Sequence, residues 1–140
     1  MRRAVSLSLG FVALLLVWGT AQAEQMRFKA DLAPGPGIAS QGKGMATASL
    51  DTATKTLTWT VDYSGLSGPA TAAHIHGPAD PGANAGIVVP FTGNLASPIK
   101  GSATLTDAQI AQLEAGKWYV NIHTEANKGG EIRGQLVRAS

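Results

Sequence analysis

Thr56-Leu57-Thr58-Trp59-Thr60-Val61-Asp62-Tyr63 alternates between polar and apolar residues without a break. A period of two puts Leu57, Trp59, Val61 and Tyr63 on one face and the threonines and Asp62 on the other, the pattern of a half-buried β-strand. The stretch before it repeats the pattern through Ala46, Ala48 and Leu50, and Asp51-Thr52-Ala53-Thr54-Lys55 supplies a turn. A hairpin of Lys43–Leu50 with Thr56–Tyr63 is therefore expected.

The same period extends in both directions. Met26, Phe28, Ala30 and Leu32 alternate with Arg27, Lys29 and Asp31, and Pro34-Gly35-Pro36-Gly37 ends that strand. Thr71–His76, Ile87–Phe91, Ile99–Leu105, Trp118–Thr124 and Glu131–Val137 read as further short strands. The last two are joined by Glu125-Ala126-Asn127-Lys128-Gly129-Gly130, a hairpin loop. One segment reads as helix. Thr106 caps with Gln109 three residues on, Ile110 and Leu113 share a face, and Gly116 suits the stop. Many short strands with frequent turns and one short helix predict an all-β chain, an antiparallel sandwich or barrel. The turn-rich stretch 77–86 is a long loop of the kind that carries function.

The ends and the composition bound the rest. Met1-Arg2-Arg3, an apolar run from Ala4 to Trp18 and Ala21-Gln22-Ala23 form the layout of a secretory signal peptide, with cleavage expected after Ala23. The run is short for a membrane span. This reading divides the chain into a signal at 1–23 and one domain at 24–140, with the membrane met only through the signal. The 11 Lys plus Arg against 9 Asp plus Glu fall to 9 against 9 once Arg2 and Arg3 are removed. The mature part is then close to neutral, and no basic cluster with interleaved aromatics argues for nucleic acid. With no cysteine, the fold must stand on packing without disulfides.

Candidate chemistry sits on the three histidines. His74 and His76, in Ala-Ala-His-Ile-His-Gly, are two apart on a strand and so project from one face. His123 lies in Tyr-Val-Asn-Ile-His-Thr. Ala73 and Ile75 in one strand and Val120 and Ile122 in the other belong to the core, which puts all three imidazoles on outer faces. If the two strands are neighbours, three imidazole nitrogens can converge on one ion, and such ligands suit copper first and zinc second. Asp80, Glu125, Glu131 and Arg133 are candidates for the rim or a fourth ligand. A metal-free cross-strand polar cluster with Asn121, Thr124 and Glu131 is the alternative.

Leu66-Ser67-Gly68-Pro69 through Ala73-His74-Ile75-His76-Gly77-Pro78, and Trp118-Tyr119-Val120-Asn121-Ile122-His123-Thr124 through Gly129-Gly130-Glu131-Ile132-Arg133-Gly134-Gln135-Leu136, resemble the chordin-type (CHRD) domain. The similarity runs from about Met26 to Val137. It implies a secreted or periplasmic β-sandwich module and no established activity. Members often carry Glu-Val-Pro-Pro after the first strand where this chain has Pro34-Gly35-Pro36-Gly37-Ile38, so a role for that acidic position does not transfer. A looser similarity, confined to His74-Ile75-His76, is to copper–zinc superoxide dismutases. Their zinc loop and disulfide have no counterpart here. The fold expected is thus immunoglobulin-like or superoxide-dismutase-like.

The reading is a periplasmic or secreted binding module rather than an enzyme, holding copper or zinc through His74, His76 and His123. Its rivals are a metal-free adhesion module that binds an unidentified extracytoplasmic protein, and a copper-dependent redox enzyme of dismutase type. No Gly-x-Ser-x-Gly elbow supports a hydrolase.

Overall fold

The computed structural model describes residues 4–16 and 24–140. The elements are β1 (Gln25–Pro34), β2 (Lys43–Asp51), β3 (Thr56–Ser64), β4 (Ala70–His76) and β5 (Ile87–Pro90). They continue with β6 (Ile99–Thr104), α1 (Asp107–Glu114), β7 (Tyr119–Thr124), β8 (Ile132–Gln135) and β9 (Val137–Ala139). Every strand pairing is antiparallel, in the spatial order β5-β4-β7-β8-β1-β2-β3-β6, with β9 also on β1. The expected all-β architecture with one short helix is what forms: a nearly closed, barrel-like antiparallel sheet.

The closure turns on β1. Its residues Gln25–Leu32 pair with β2, while Ala33 and Pro34 pair with Arg133 and Ile132 of β8. One strand thereby belongs to both halves of the sheet. Phe28, Ala48 and Trp59 stand in register across β1, β2 and β3 and face the core, as their alternation requires. At the other side the end strands β5 and β6 leave a seam. Trp59 of β3 stacks on Phe91, the residue after β5, with ring centroids 4.9 Å apart, and so ties the two halves across it. Helix α1 carries the expected capping box between Thr106 and Gln109 and docks through Leu113, which is fully buried.

One element differs from the sequence reading. Glu131–Val137 is not a single strand: β8 stops at Gln135 and the chain resumes as β9. The break is at Leu136, whose side chain is buried and whose N–H donates to the Trp118 carbonyl at 2.9 Å. Driving Leu136 into the core moves the chain off β7 and onto Arg27–Lys29 of β1.

Residues 4–16 form no regular structure, and Leu9 and Phe11 at 87% and 98% exposure take no part in the core. Met1-Arg2-Arg3 and Ala21-Gln22-Ala23 of the expected export signal lie outside the described residues. No helix among the described residues is long and apolar enough to cross a membrane.

Gly134 sits where β8 meets β1. A Cβ there would lie 2.0 Å from the Asp31 carbonyl oxygen, a backbone atom that cannot swing aside. Gly134→Ala is expected to cost about 2 kcal/mol or more by urea unfolding, as overpacked sites do. Gly68→Ala, with nothing within 4 Å, should stay within about 0.5 kcal/mol of the parent.

Candidate metal centre

Strands β4 and β7 are neighbours, with Ala73 opposite Ile122, His74 opposite Asn121, Ile75 opposite Val120 and His76 opposite Tyr119. Ala73, Ile75, Val120 and Ile122 are all buried in the core. Alternation then leaves His74, His76, Tyr119, Asn121 and His123 on the opposite face. His123 pairs with Ala72, so it lies diagonally from His74. The ring centroids of His74 are 5.4 Å from His76 and 5.0 Å from His123, and those of His76 and His123 are 6.0 Å apart. One ligand nitrogen from each of the three lies within 4.8 Å of the others.

The expectation of an exposed histidine surface needs correcting. Only His74 is half-exposed, while His76 and His123 are each down to 9%. Two loops fold over this face and bond directly to the rings. His76 Nδ1 lies 2.9 Å from the Ala85 carbonyl in loop 77–86, and His123 Nδ1 lies 2.8 Å from the Lys128 carbonyl in the β7–β8 loop. A carbonyl only accepts, so each Nδ1 carries the proton and each Nε2 of the neutral ring is a bare lone pair. The Nε2 of His123 accepts from His74 Nδ1 at 3.1 Å. The Nε2 of His76 is buried with no hydrogen-bond partner.

The electrostatics favour the neutral form of His74 and His76. Burial lowers the His74 pKa below its usual 6.5, and the neighbouring His123 and His76 push it the same way. Burial also lowers that of His76; the Ala85 carbonyl opposes this, and His123 and Arg133 add to it. Tyr119 braces the site. Its ring stacks on His76 at 5.0 Å with an 8° interplanar angle, and its hydroxyl accepts from the Ala85 N–H at 3.0 Å. Because β7 lies between β4 and β8, Tyr119 is reached by His76 from one side and by Arg133 from the other, whose guanidinium sits 3.8 Å from the ring centroid.

Residues 28–136, which include the three histidines, match the family model of the CHRD domain. The chain belongs to the CHRD domain family. No curated protein and no solved structure matches the chain.

The acidic candidates around the CHRD domain's histidines are differently placed. Asp80 ion-pairs with Lys117, and Glu125 with Lys128 at 3.2 Å, all on the surface. Glu131 is not at a rim. It is fully buried, and its carboxylate accepts from Ser40 Oγ at 2.8 Å, the Ser67 amide at 2.9 Å, Thr124 Oγ1 at 2.8 Å and Asn127 Nδ2 at 3.0 Å, as well as from Ser67 Oγ. Both oxygens are committed, so Glu131 has nothing left to offer an ion. Thr124 and Glu131 therefore belong to this hub and not to a ladder with the histidines. Arg133 does not pair with Glu131 either. It donates to Asn84 Oδ1 and the Ala83 carbonyl, both at 2.7 Å, and so pins loop 77–86.

Sequence reasoning missed Tyr119 as a brace and Ser40 and Ser67 as Glu131 partners. Tyr119 was detectable, since it shares the period of Asn121 and His123. The carbonyls of Ala85 and Lys128 carry no residue-type signal at all.

The Glu131 hub has a pH signature. Burial raises its pKa, but the bonds from Ser67, Thr124, Ser40 and the Ser67 amide outweigh this and hold it at about 2, against 4.5 ordinarily. A depressed folded-state value means stability that is fully present above pH 4.5 and lost as pH falls from there toward about 2. Glu131→Ala should cost about 3 kcal/mol at neutral pH, because five donors lose their acceptor. Glu131→Gln should flatten the fall in acid stability over that interval, as followed by circular dichroism.

Proposed function

We propose that this CHRD-domain chain is an exported binding module that holds a transition-metal ion, copper before zinc, through His74, His76 and His123. The supporting observation is the buried, unpartnered Nε2 of His76, a lone pair with no protein donor, on a ring that belongs to a cluster in which one nitrogen of each histidine lies within 4.8 Å of the others. A buried acceptor left without a partner is costly, and a cation is the partner that three neutral imidazoles would share. The Ala85 and Lys128 carbonyls play the outer-shell part, fixing tautomer and ring orientation and leaving Nε2 free to ligate. Metal–nitrogen bonds of about 2.0–2.1 Å require nitrogens no more than about 4.2 Å apart. The widest pair therefore closes slightly on binding, and the His74–His123 hydrogen bond is exchanged for the ion.

Copper ranks first because divalent copper binds a given nitrogen set more tightly than zinc. With Asp80 and Glu125 in surface ion pairs and Glu131 saturated, the fourth position falls to water or an incoming ligand. A purely structural polar cluster would satisfy His74 and His123 through their mutual bond, yet it leaves His76 Nε2 without a donor. This is why the metal reading is preferred to the metal-free adhesion module. Whether a bound copper turns over is a separate matter that a superoxide assay on the loaded protein decides.

Titration of the purified protein with Cu(II) and Zn(II) tests the site. His76→Ala and His123→Ala should each lose more than the roughly 10–100-fold that removal of an outer-shell partner costs. Equal, weak binding by parent and variants sinks the reading. Ligation requires neutral rings, and the His74 and His76 pKa values lie below 6.5. Affinity should therefore be level above that pH and decline below it. A pH-independent affinity excludes histidine ligands. Export is checked by N-terminal sequencing of the protein recovered from its native host: a start at Glu24 is expected, and an intact Met1-Arg2-Arg3 would overturn it.

A further inference from the structure

On the same face of β7, on the β8 side of the histidines, a recess of about 340 Å³ opens between the Gly35–Ile38 turn, loop 77–86 and the β7–β8 loop. Gly35, Ile38, Asn84, Asn121, Asn127 and Arg133 contribute to its wall. None of the histidines lines it. Asn121 separates the two sites, standing opposite His74 on β4 and opposite Arg133 on β8.

Two features give this recess a chemistry. Asn121 is 5% exposed and its Oδ1 is buried with no partner, while its Nδ2 donates to the Gly129 carbonyl at 3.2 Å. Turning the amide over would set oxygen against that carbonyl, so the bare acceptor stays where it is. Arg133 is the one charged residue of the wall, and no carboxylate faces it there. Its guanidinium uses two of its five N–H groups on Ala83 and Asn84 and has others left for a ligand. An occupant must bring a hydroxyl or amino donor to Asn121 and a negative oxygen to Arg133, two side chains that are cross-strand neighbours.

We propose that this recess binds a small carboxylate that carries a hydroxyl or amino group beside its charged end. A recess of this volume holds a small metabolite. The proposal does not depend on an ion at the histidines, and its test is run on protein stripped of metal.

Backbone amide shifts in heteronuclear NMR are followed during titration with glycerate, with propionate (the same acid without hydroxyls) and with glycerol (the hydroxyls without charge). Saturable shifts at Asn121, Gly129 and Gly35 with glycerate are expected, and propionate and glycerol should each bind roughly tenfold or more weakly, the loss of one charge-assisted or buried hydrogen bond. Arg133→Gln should weaken glycerate similarly. Since Arg133 also pins loop 77–86, Gly35→Val is the decisive variant. A Cβ at Gly35 meets Arg133 Cδ and Ile38 Cγ1, each at 3.7 Å, so the added methyls crowd the recess from the side of its charged wall. With unchanged Ala83 and Asn84 amide shifts in the free variant showing that loop 77–86 stays pinned, glycerate binding should vanish. His74→Ala should leave glycerate binding unchanged. No saturable shift with glycerate overturns the proposal. So does binding that propionate or glycerol matches, that survives Gly35→Val, or that disappears with His74→Ala.

Discussion

The register of β4 against β7 is the constraint on which the rest depends. Ala73 and Ile75 face Ile122 and Val120 across it, and all four lie in the core. Burial of each larger aliphatic side chain contributes about 1.5–3 kcal/mol. A slip of one residue would exchange every side chain between faces, exposing these and driving imidazoles among aliphatic groups. The histidines are thus placed by residues that touch no ligand.

That register alone would leave the rings on a bare sheet. What turns them into a site is backbone supplied by two loops, each lending a carbonyl to one imidazole. Loop 77–86 is held from several directions: Ala85 is gripped by both His76 and Tyr119, Ala83 and Asn84 by Arg133, and Ala79 by the Lys117 carbonyl and the Gln135 side chain. Such a cover is stiff, so rotation of the rings is restricted and their donor atoms are preorganised. The Glu131 hub does the same for the facing segments, gathering Ser40, Ser67, Thr124 and Asn127 around one buried carboxylate.

How much of this was legible follows from which forces write themselves into residue types. The strands were readable because burial on one face imposes a period of two, and β3 with Leu57, Trp59 and Val61 shows it cleanly. The facing of all three histidines was readable for the same reason, from Ile75 and Ile122. Pairing between distant segments was not, because alternation tells which side a residue faces and not which strand lies beside it. The role of Glu131 was misread on similar grounds. Its partners Ser40 and Ser67 are 91 and 64 residues away, and a carboxylate near histidines in sequence looks like a ligand until its bonds are counted. The break at Leu136 was hidden because Glu131–Val137 keeps strand-like residues throughout while changing partners.

The seam between β5 and β6 has its own consequence. A sheet that stops short of closing offers two rows of unpaired backbone groups to any passing chain, the usual nucleus of fibrillar stacking. Here both rows are short. β5 has four residues and ends in Pro90, which lacks an N–H; β6 has six, follows Pro98 and exposes Lys100. Strand addition at either border is thereby starved of donors or met by charge. In a polypeptide without cysteine, and so without disulfides to hold its fold, this blunting of the borders works against strand addition between copies.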